Sequence, residues 1–296
     1  MSNLLEKYSI IKSLGTQSKR KFGAVYLVQN KLTLELAVLK SLVKTEVNFQ
    51  LQARLLKEAT FSFNTLGLPK NIAFFETENE IIVFKNYSEG ISLDEYWQTI
   101  KRRKRIKVFQ IILPKLIYLL EILAEQKIVH CDLKPSNIII HEENGQIEVK
   151  LIDFGMALRT DEENHRQTLF ALGYAAPELL LNKLEIVDHR TDQFSLGIII
   201  WKLFTDKLPL SHPNPSIFTN LQLTHPLPDD VELPKGFFPI LLRMCNKHQF
   251  KTAPNLISKE EIHSSLMEGI NGRFNNYDEI LLSFQNIPKR RKLFWF

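Results

Sequence analysis

Two short β-prone segments, Ile138–Ile140 and Ile147–Ile152, flank the dipeptide Asn144-Gly145 in a part of the chain that otherwise reads as helix. Asn-Gly favours the positive φ angles of a tight hairpin turn. The chain is therefore expected to fold back here, bringing Asn137 and Asp153 side by side at the open end. An amide oxygen and a carboxylate placed that close suit Mg²⁺, which takes few protein groups and completes its shell with phosphates and water.

The pattern around this hairpin changes once. Before about Asn86 it is mostly strand, with β-prone runs at Tyr8–Leu14, Phe22–Val28, Leu34–Leu42, Ile72–Phe75 and Ile81–Phe84. One helix interrupts them, marked by Leu51, Leu55 and Ala59 at four-residue steps. After Asn86 helical patterns dominate. They cover Leu93–Ile100, Ile106–Gln126 with Pro114 as a kink or a start, the region near Pro177, Asp192–Phe204, Phe238–Asn246 and Ser258–Met267. The Pro-rich stretch Leu208–Pro234 reads as loop, and residues 266–296 are weakly patterned. Strands followed by a larger helical part predict an α+β fold in two lobes. The expected division is a small β-rich lobe at 1–85, a mainly helical lobe at 86–265 and an extension at 266–296.

The densest group of chemically active side chains is His130-Cys131-Asp132-Leu133-Lys134-Pro135-Ser136-Asn137, just ahead of the hairpin; Asp153-Phe154-Gly155 follows it. Asp132 can accept a hydroxyl proton, and Lys134 can neutralise charge on a phosphoryl oxygen. Taken singly, these residues have plainer readings. A lone Lys on a strand is usually solvated, a lone His is more often a satisfied core residue, and Asp153 alone is a turn residue. They do not occur singly. Ala37-Val38-Leu39-Lys40 precedes them, and Ala176-Pro177-Glu178 and Asp192-Gln193-Phe194-Ser195-Leu196-Gly197 follow. In this order and spacing the chain resembles a eukaryotic-type protein kinase from about Tyr8 to Ser265.

The resemblance implies a bilobal kinase fold that uses ATP and Mg²⁺ to phosphorylate a protein substrate. Lys134, two residues after Asp132, matches the Ser/Thr group of that family. Lys40 would hold the α- and β-phosphates, paired with a Glu of the small-lobe helix. Glu58 is chosen for its mid-helix place over Glu46, at the helix start. Leu14, Val25 and Val38 would pack on the adenine, with Gly15 and Gly23 in the glycine-rich loop. Asp132 would be the catalytic base, with Lys134 as its charge-stabilising neighbour. Asn137 and Asp153 would bind Mg²⁺, and Asp192 would brace the catalytic loop through backbone N–H groups.

The sequence also departs from the family pattern. Between Gly15 and Phe22-Gly23-Ala24-Val25-Tyr26 lies a stretch about three residues longer than the G-x-G-x-x-G form. It lacks the middle glycine that lets backbone approach phosphate closely. Cys131 replaces the usual Arg of His-Arg-Asp, as in the dual-specificity tyrosine-regulated kinases. Those enzymes use tyrosines in the activation segment, whereas this chain has only Tyr174 between Asp153 and Glu178. Ala171 stands where the family usually has a Thr bonded to the catalytic Asp and Lys. The buried Arg that pairs with Glu178 falls at Lys251, a poorer bidentate partner. The irregular glycine loop and Ala171 favour an alternative, a pseudokinase that scaffolds partners; intact Lys40, Asp132, Asn137 and Asp153 oppose it. Small-molecule kinases of the aminoglycoside or choline type lack the Asp-Phe-Gly and Ala-Pro-Glu pair, which argues against them. A phosphate on Thr160 or Thr168 would lack its main cationic partner, so activity is expected not to depend on one.

Composition excludes other classes. The 38 Lys+Arg against 33 Asp+Glu give a net charge of +5, but ten of the basic residues sit in Lys101–Lys107 and Lys289–Lys292. Setting those aside leaves 28 against 33, so a general nucleic-acid binder is not implied. Cys131 and Cys245 alone cannot staple a disulfide scaffold, and a reducing compartment is the simpler expectation. Neither a secretory signal nor a transmembrane run is visible, so the expected location is the cytoplasm, the protein's own or a host cell's. The terminus Lys289–Phe296 is basic and aromatic. It is expected to touch an anionic membrane weakly, to dock on the protein itself, or to fray.

Overall fold

The computed structural model describes residues 6–14, 23–164, 170–252 and 254–287. The glycine-rich loop from Gly15 to Phe22, Thr168 and the terminal tail lie outside these residues. In chain order the strands are β1 (Tyr8–Ser13), β2 (Ala24–Asn30), β3 (Leu36–Val43), β4 (Asn71–Glu76), β5 (Glu80–Asn86), β6 (Ile91–Ser92), β7 (Ile128–Val129), β8 (Ile138–Glu143), β9 (Gln146–Leu151) and β10 (Leu158–Arg159). The helices are α1 (Phe49–Thr60), α2 (Leu93–Thr99), α3 (Arg105–Glu125), α4 (Pro177–Leu180), α5 (His189–Thr205), α6 (Pro215–Thr224), α7 (Phe237–Met244), α8 (Lys259–Asn271) and α9 (Tyr277–Gln285). This is the β-rich part and helical part that the sequence predicts. The chain divides into two compact units, Met1–Leu93 with Asn137–Ala157, and Asp94–Ser136 with Leu158–Phe296.

The first unit is built on an antiparallel sheet of order β1-β2-β3-β5-β4. Alternation along a pleated strand sends successive side chains to opposite faces. One face buries Val28, Ala37, Leu39, Ile82 and Phe84. The other buries Leu42, Ile81 and Val83 against Leu55 of α1, with Leu51, Leu56 and Ala59 beside it. Both faces of β5 are therefore covered, which is why Ile81–Phe84 reads as an unbroken apolar run.

The Asn-Gly hairpin also belongs to this unit, whereas the sequence reading placed it in the helical part. Strands β8 and β9 pair from Ile138↔Leu151 to Glu143↔Gln146. That leaves the expected two-residue turn, with Asn144 at φ 51° and Gly145 at φ 75°. The ladder continues past its open end, where the Ile152 N–H donates to the Asn137 carbonyl at 3.0 Å. The Leu151 N–H donates to the Gly67 carbonyl at 2.8 Å and ties the hairpin into the unit.

The second unit is helical around an aromatic centre. Phe109 of α3, Phe204 of α5, Phe237 of α7 and Phe284 of α9 form a ring of contacts with centroids 5.0–5.4 Å apart. Such pairs add about 0.5–1.5 kcal/mol each beyond the area they bury. Helix α3 runs through Pro114 without ending. Two helices stand where the sequence reading had none. In α6, inside the expected loop 208–234, Asn214 accepts from the Ser216 and Ile217 N–H groups and Pro215 takes the first turn. Asn-Pro at a helix start was a legible signal. In α9, inside the expected extension, the Asn276 side chain accepts from the Glu279 N–H. Among the described residues no helix is long and apolar enough to cross a membrane.

Because Phe284 is 9% exposed in that aromatic centre, Phe284→Ala is expected to destabilise the protein by about 3 kcal/mol or more. A chain ended at Ser265 is expected not to fold. Thermal unfolding followed by circular dichroism checks both.

Candidate active site

In the first unit, four charged side chains from β3, α1 and the end of the hairpin meet. Lys40 donates to both carboxylate oxygens of Glu58 at 2.7 Å. Glu58 is buried at 3% exposure. Burial alone would lower the Lys40 pKa; the Glu58 and Asp153 carboxylates outweigh it and hold the group above the ordinary lysine value. The Asp153 carboxylate receives the Arg54 guanidinium at 2.9 Å and lies 3.9 Å from the Lys40 ammonium. Arg54 escaped the sequence reading. Its signal was there, because residues one turn apart share a helix face and Arg54 precedes Glu58 by four.

Asp153 holds left-handed backbone angles, φ 65° and ψ 72°, uncommon for a residue with a side chain. Such a conformation persists only where its surroundings impose it. Here Phe154 is fully buried, its ring 5.9 Å from Phe61 and 5.1 Å from Phe63. That anchor, and the Asn137–Ile152 rung on the other side, leave the Asp153 backbone little freedom.

Asn137 and Asp153 end at the same end of the hairpin, as the turn predicts. Their hard oxygens fit Mg²⁺. Among the described residues there is no group of three His, Cys, Asp or Glu side chains suited to a metal cage. A divalent ion bound here would draw most of its shell from phosphates and water.

Strand register places Val25 opposite Lys40 and Val38 opposite Leu27, so both valines share the Lys40 face of the sheet. Leu14 donates its N–H to the Val25 carbonyl at 2.7 Å. Gly23 has φ 85°, and a Cβ there would lie 2.4 Å from the Ser41 carbonyl oxygen, so glycine is required.

The second unit carries the other candidate residues. Asp192 on α5 accepts from the His130 N–H at 2.6 Å and the Cys131 N–H at 3.0 Å, the bracing role the resemblance implies. Burial raises the Asp192 pKa, and His130 with these N–H bonds only partly offsets it. Cys131, whose N–H is one of the two, adopts φ 61°. The Asp132 N–H donates to His130 Nδ1 at 3.3 Å, and the Lys134 ammonium sits 2.7 Å from Asp132 Oδ2. The Asp132 side chain is 4% exposed.

One expectation is overturned. Glu178 does not pair with Lys251, which is exposed. Arg273 takes that place, with a bidentate fork at 2.6 and 2.9 Å, and Thr191 adds a bond at 2.8 Å. The Arg273 side chain is 1% exposed and Glu178 is fully buried. The residue missed lies in the turn between α8 and α9, in the stretch that reads as weakly patterned. At the start of the activation segment, β10 pairs with β7, and the Thr160 N–H donates to the Lys127 carbonyl at 2.8 Å.

Residues 8–252 match the family described as the protein kinase domain. The chain is 29% identical over 213 residues to the Aurora kinase of Saccharomyces cerevisiae, covering 69% of this chain and 54% of that one. It is 29% identical over 239 residues to the serine/threonine-protein kinase ATG1a of Arabidopsis thaliana, covering 78% and 36%. It is 28% identical over 222 residues to the sucrose non-fermenting protein kinase 1 of Fusarium virguliforme, covering 72% and 30%. The chain thus spans about half, or less, of the length of these relatives.

Losing one partner of a buried ion pair strands the other charge. Arg273→Ala is therefore expected to cost about 3–5 kcal/mol. Arg273→Lys, which keeps the charge but not the fork, is expected to fall between it and the wild type. Urea unfolding midpoints check the order.

Proposed function

Because the chain belongs to the protein kinase family, we propose that it transfers the γ-phosphoryl group of ATP to Ser or Thr hydroxyls of protein substrates. The observation that carries this reading is the Lys40–Glu58 pair, both carboxylate oxygens at 2.7 Å, in a unit that also presents Asp153. A half-buried lysine held protonated against a buried carboxylate is a fixed positive charge for phosphate oxygens. Leu14, Val25 and Val38 would supply the apolar surface for the adenine, with Gly15 and Gly23 in the loop over the phosphates. Asn137 and Asp153 would hold Mg²⁺, which supplies charge neutralisation on the phosphates when bound.

Asp132 would accept the hydroxyl proton of the substrate. The hydroxyl oxygen bonds to the γ-phosphorus, the bond from that phosphorus to the β–γ bridging oxygen breaks, and ADP leaves. Lys134, already on Asp132, orients the carboxylate and places a positive charge beside the transferred group. Positioning and electrostatics provide most of the rate in such a reaction.

A second reading, a scaffold without transfer, draws on the Arg54–Asp153 contact at 2.9 Å, which engages the carboxylate that would hold the metal. An arginine and a lysine beside that carboxylate also suit a site built for anionic phosphates, so the contact fits either reading. We place the protein in the cytoplasm on the strength of its ATP chemistry and its two buried free cysteines. A protein partner is implied and a nucleic acid is not.

Turnover of ATP with a degenerate peptide library decides between the readings. Asp132→Asn is expected to lower kcat about 100-fold or more, and Asp153→Ala to abolish Mg²⁺-dependent transfer. Equal turnover by wild type and Asp132→Asn would favour the scaffold. Replacing Thr160 and Thr168 together with Ala is expected to change the rate on an added substrate by less than tenfold, about 1.4 kcal/mol in barrier height.

A further inference from the structure

Strand β5 alternates between the two faces of the sheet, and its odd-numbered residues Ile81 and Val83 pack under α1. The next residue on that face is Lys85, where the alternation calls for an apolar side chain. Lys85 is 5% exposed. A lysine so placed needs partners for its ammonium. It finds them at the end of α1, donating to the Glu58 carbonyl at 3.0 Å and the Phe61 carbonyl at 3.2 Å. Its ammonium also lies 4.0 Å from the Glu58 carboxylate.

A helix leaves its last carbonyls without partners inside the helix, and its C-terminal end attracts cations. In α1 those groups are met from several directions. Thr60 Oγ1 bonds the Lys57 carbonyl, the Asn71 side chain bonds the Ala59 carbonyl, and Lys85 takes Glu58 and Phe61. Of these partners only Lys85 brings a charge from within the core. It is also the only one that touches the same residue, Glu58, whose side chain holds Lys40. Burial pushes the Lys85 pKa down to about 8; Glu58 opposes this, Lys40 adds to it and Asp153 opposes it. At neutral pH the group is still mostly charged and can serve as a C-terminal cap.

We propose that Lys85 is a positioning residue for phosphoryl transfer, fastening the C-terminal end of α1 to β5 so that Glu58 stays on Lys40 without help from a ligand, a partner or a phosphate. The proposal rests on the kinase reading for its effect on rate, but not for its effect on α1. A lysine that merely fills space would be replaceable by methionine, which has its length and no charge. A lysine that fastens the helix would not.

The test uses the full chain with Lys85→Met, Glu58→Gln and the double variant. Thermal unfolding establishes that each is folded at the assay temperature. Hydrogen exchange is read over residues 49–60 and over the sheet, and kcat is read at saturating ATP. Lys85→Met is expected to lose at least fivefold in protection across α1 with the sheet unchanged, and at least tenfold in kcat. In the Glu58→Gln background the same substitution is expected to lower kcat less than twofold, because the residue it acts through is already gone. Should Lys85→Met fail to fold, Lys85→Arg takes its place and is expected to keep α1 protected, since it keeps the charge and the donors. Wild-type protection of α1 in Lys85→Met would overturn the proposal, as would an equal loss of kcat in both backgrounds or an unprotected α1 in Lys85→Arg. Absence of phosphate transfer by the wild type would sink the kinase reading instead, and the exchange measurement would still decide whether Lys85 holds the helix.

Discussion

A carboxylate withdrawn from water must be met by cations and N–H donors, and each unit of this protein is arranged around that requirement. In the first unit the buried carboxylate is Glu58, which draws Lys40 from β3 and stands close to Lys85 from β5. In the second it is Glu178, met by the fork of Arg273 and the hydroxyl of Thr191. Asp192 adds a third case, answered by two backbone N–H groups. Leaving any of these without its partners would cost several kcal/mol. The elements carrying the partners are thereby held in register with one another. Apolar burial supplies most of the folding free energy, but it is indifferent to small slips; the charge contacts are not.

Much of this was legible in the chain because the relevant signals are local. The Asn144-Gly145 turn dictates the pairing of β8 with β9, and with it the return of the chain from Asn137 to Ile152, next to Asp153. The four-residue rhythm of Leu51, Leu55 and Ala59 revealed α1 and placed Glu58 on it. Motif order gave Asp192 its place beneath His130 and Cys131. What stayed hidden depends on contacts between residues far apart in sequence. Arg273 lies 95 residues from Glu178, and nothing around it marks it as that partner. Helix α6 was passed over because its stretch was read as a Pro-rich loop, and α9 because its stretch is weakly patterned, although Asn214-Pro215 and Asn276 begin them. Lys85 sits in an apolar run that announces a core strand, and its role appears only once α1 is laid across β5.

The departures from the family pattern also take on physical content. Cys131 is buried at 2% exposure with φ 61°, its own N–H and that of His130 held by Asp192 of α5. It behaves as a small core residue in a strained turn and presents no charge. Thr160 is tied to Lys127 by its backbone, and β10 is paired with β7, so the start of the activation segment is ordered by main-chain bonds.

The hairpin has a further consequence for handling the molecule. Its turn and its open end are separated by the six pairs of the ladder, roughly 20 Å at strand rise. Both turn residues are exposed, and no side chain or backbone lies within 4 Å of where a Cβ on Gly145 would point. Lengthening a loop at such a tip adds little closure entropy, about 0.6 kcal/mol per doubling, and leaves the paired rungs in step. A fluorophore site or an epitope spliced between Glu143 and Gln146 would therefore ride on the same ladder that sets Asn137 against Asp153. It would report from the far end of that rigid lever without disturbing the end where the oxygens gather.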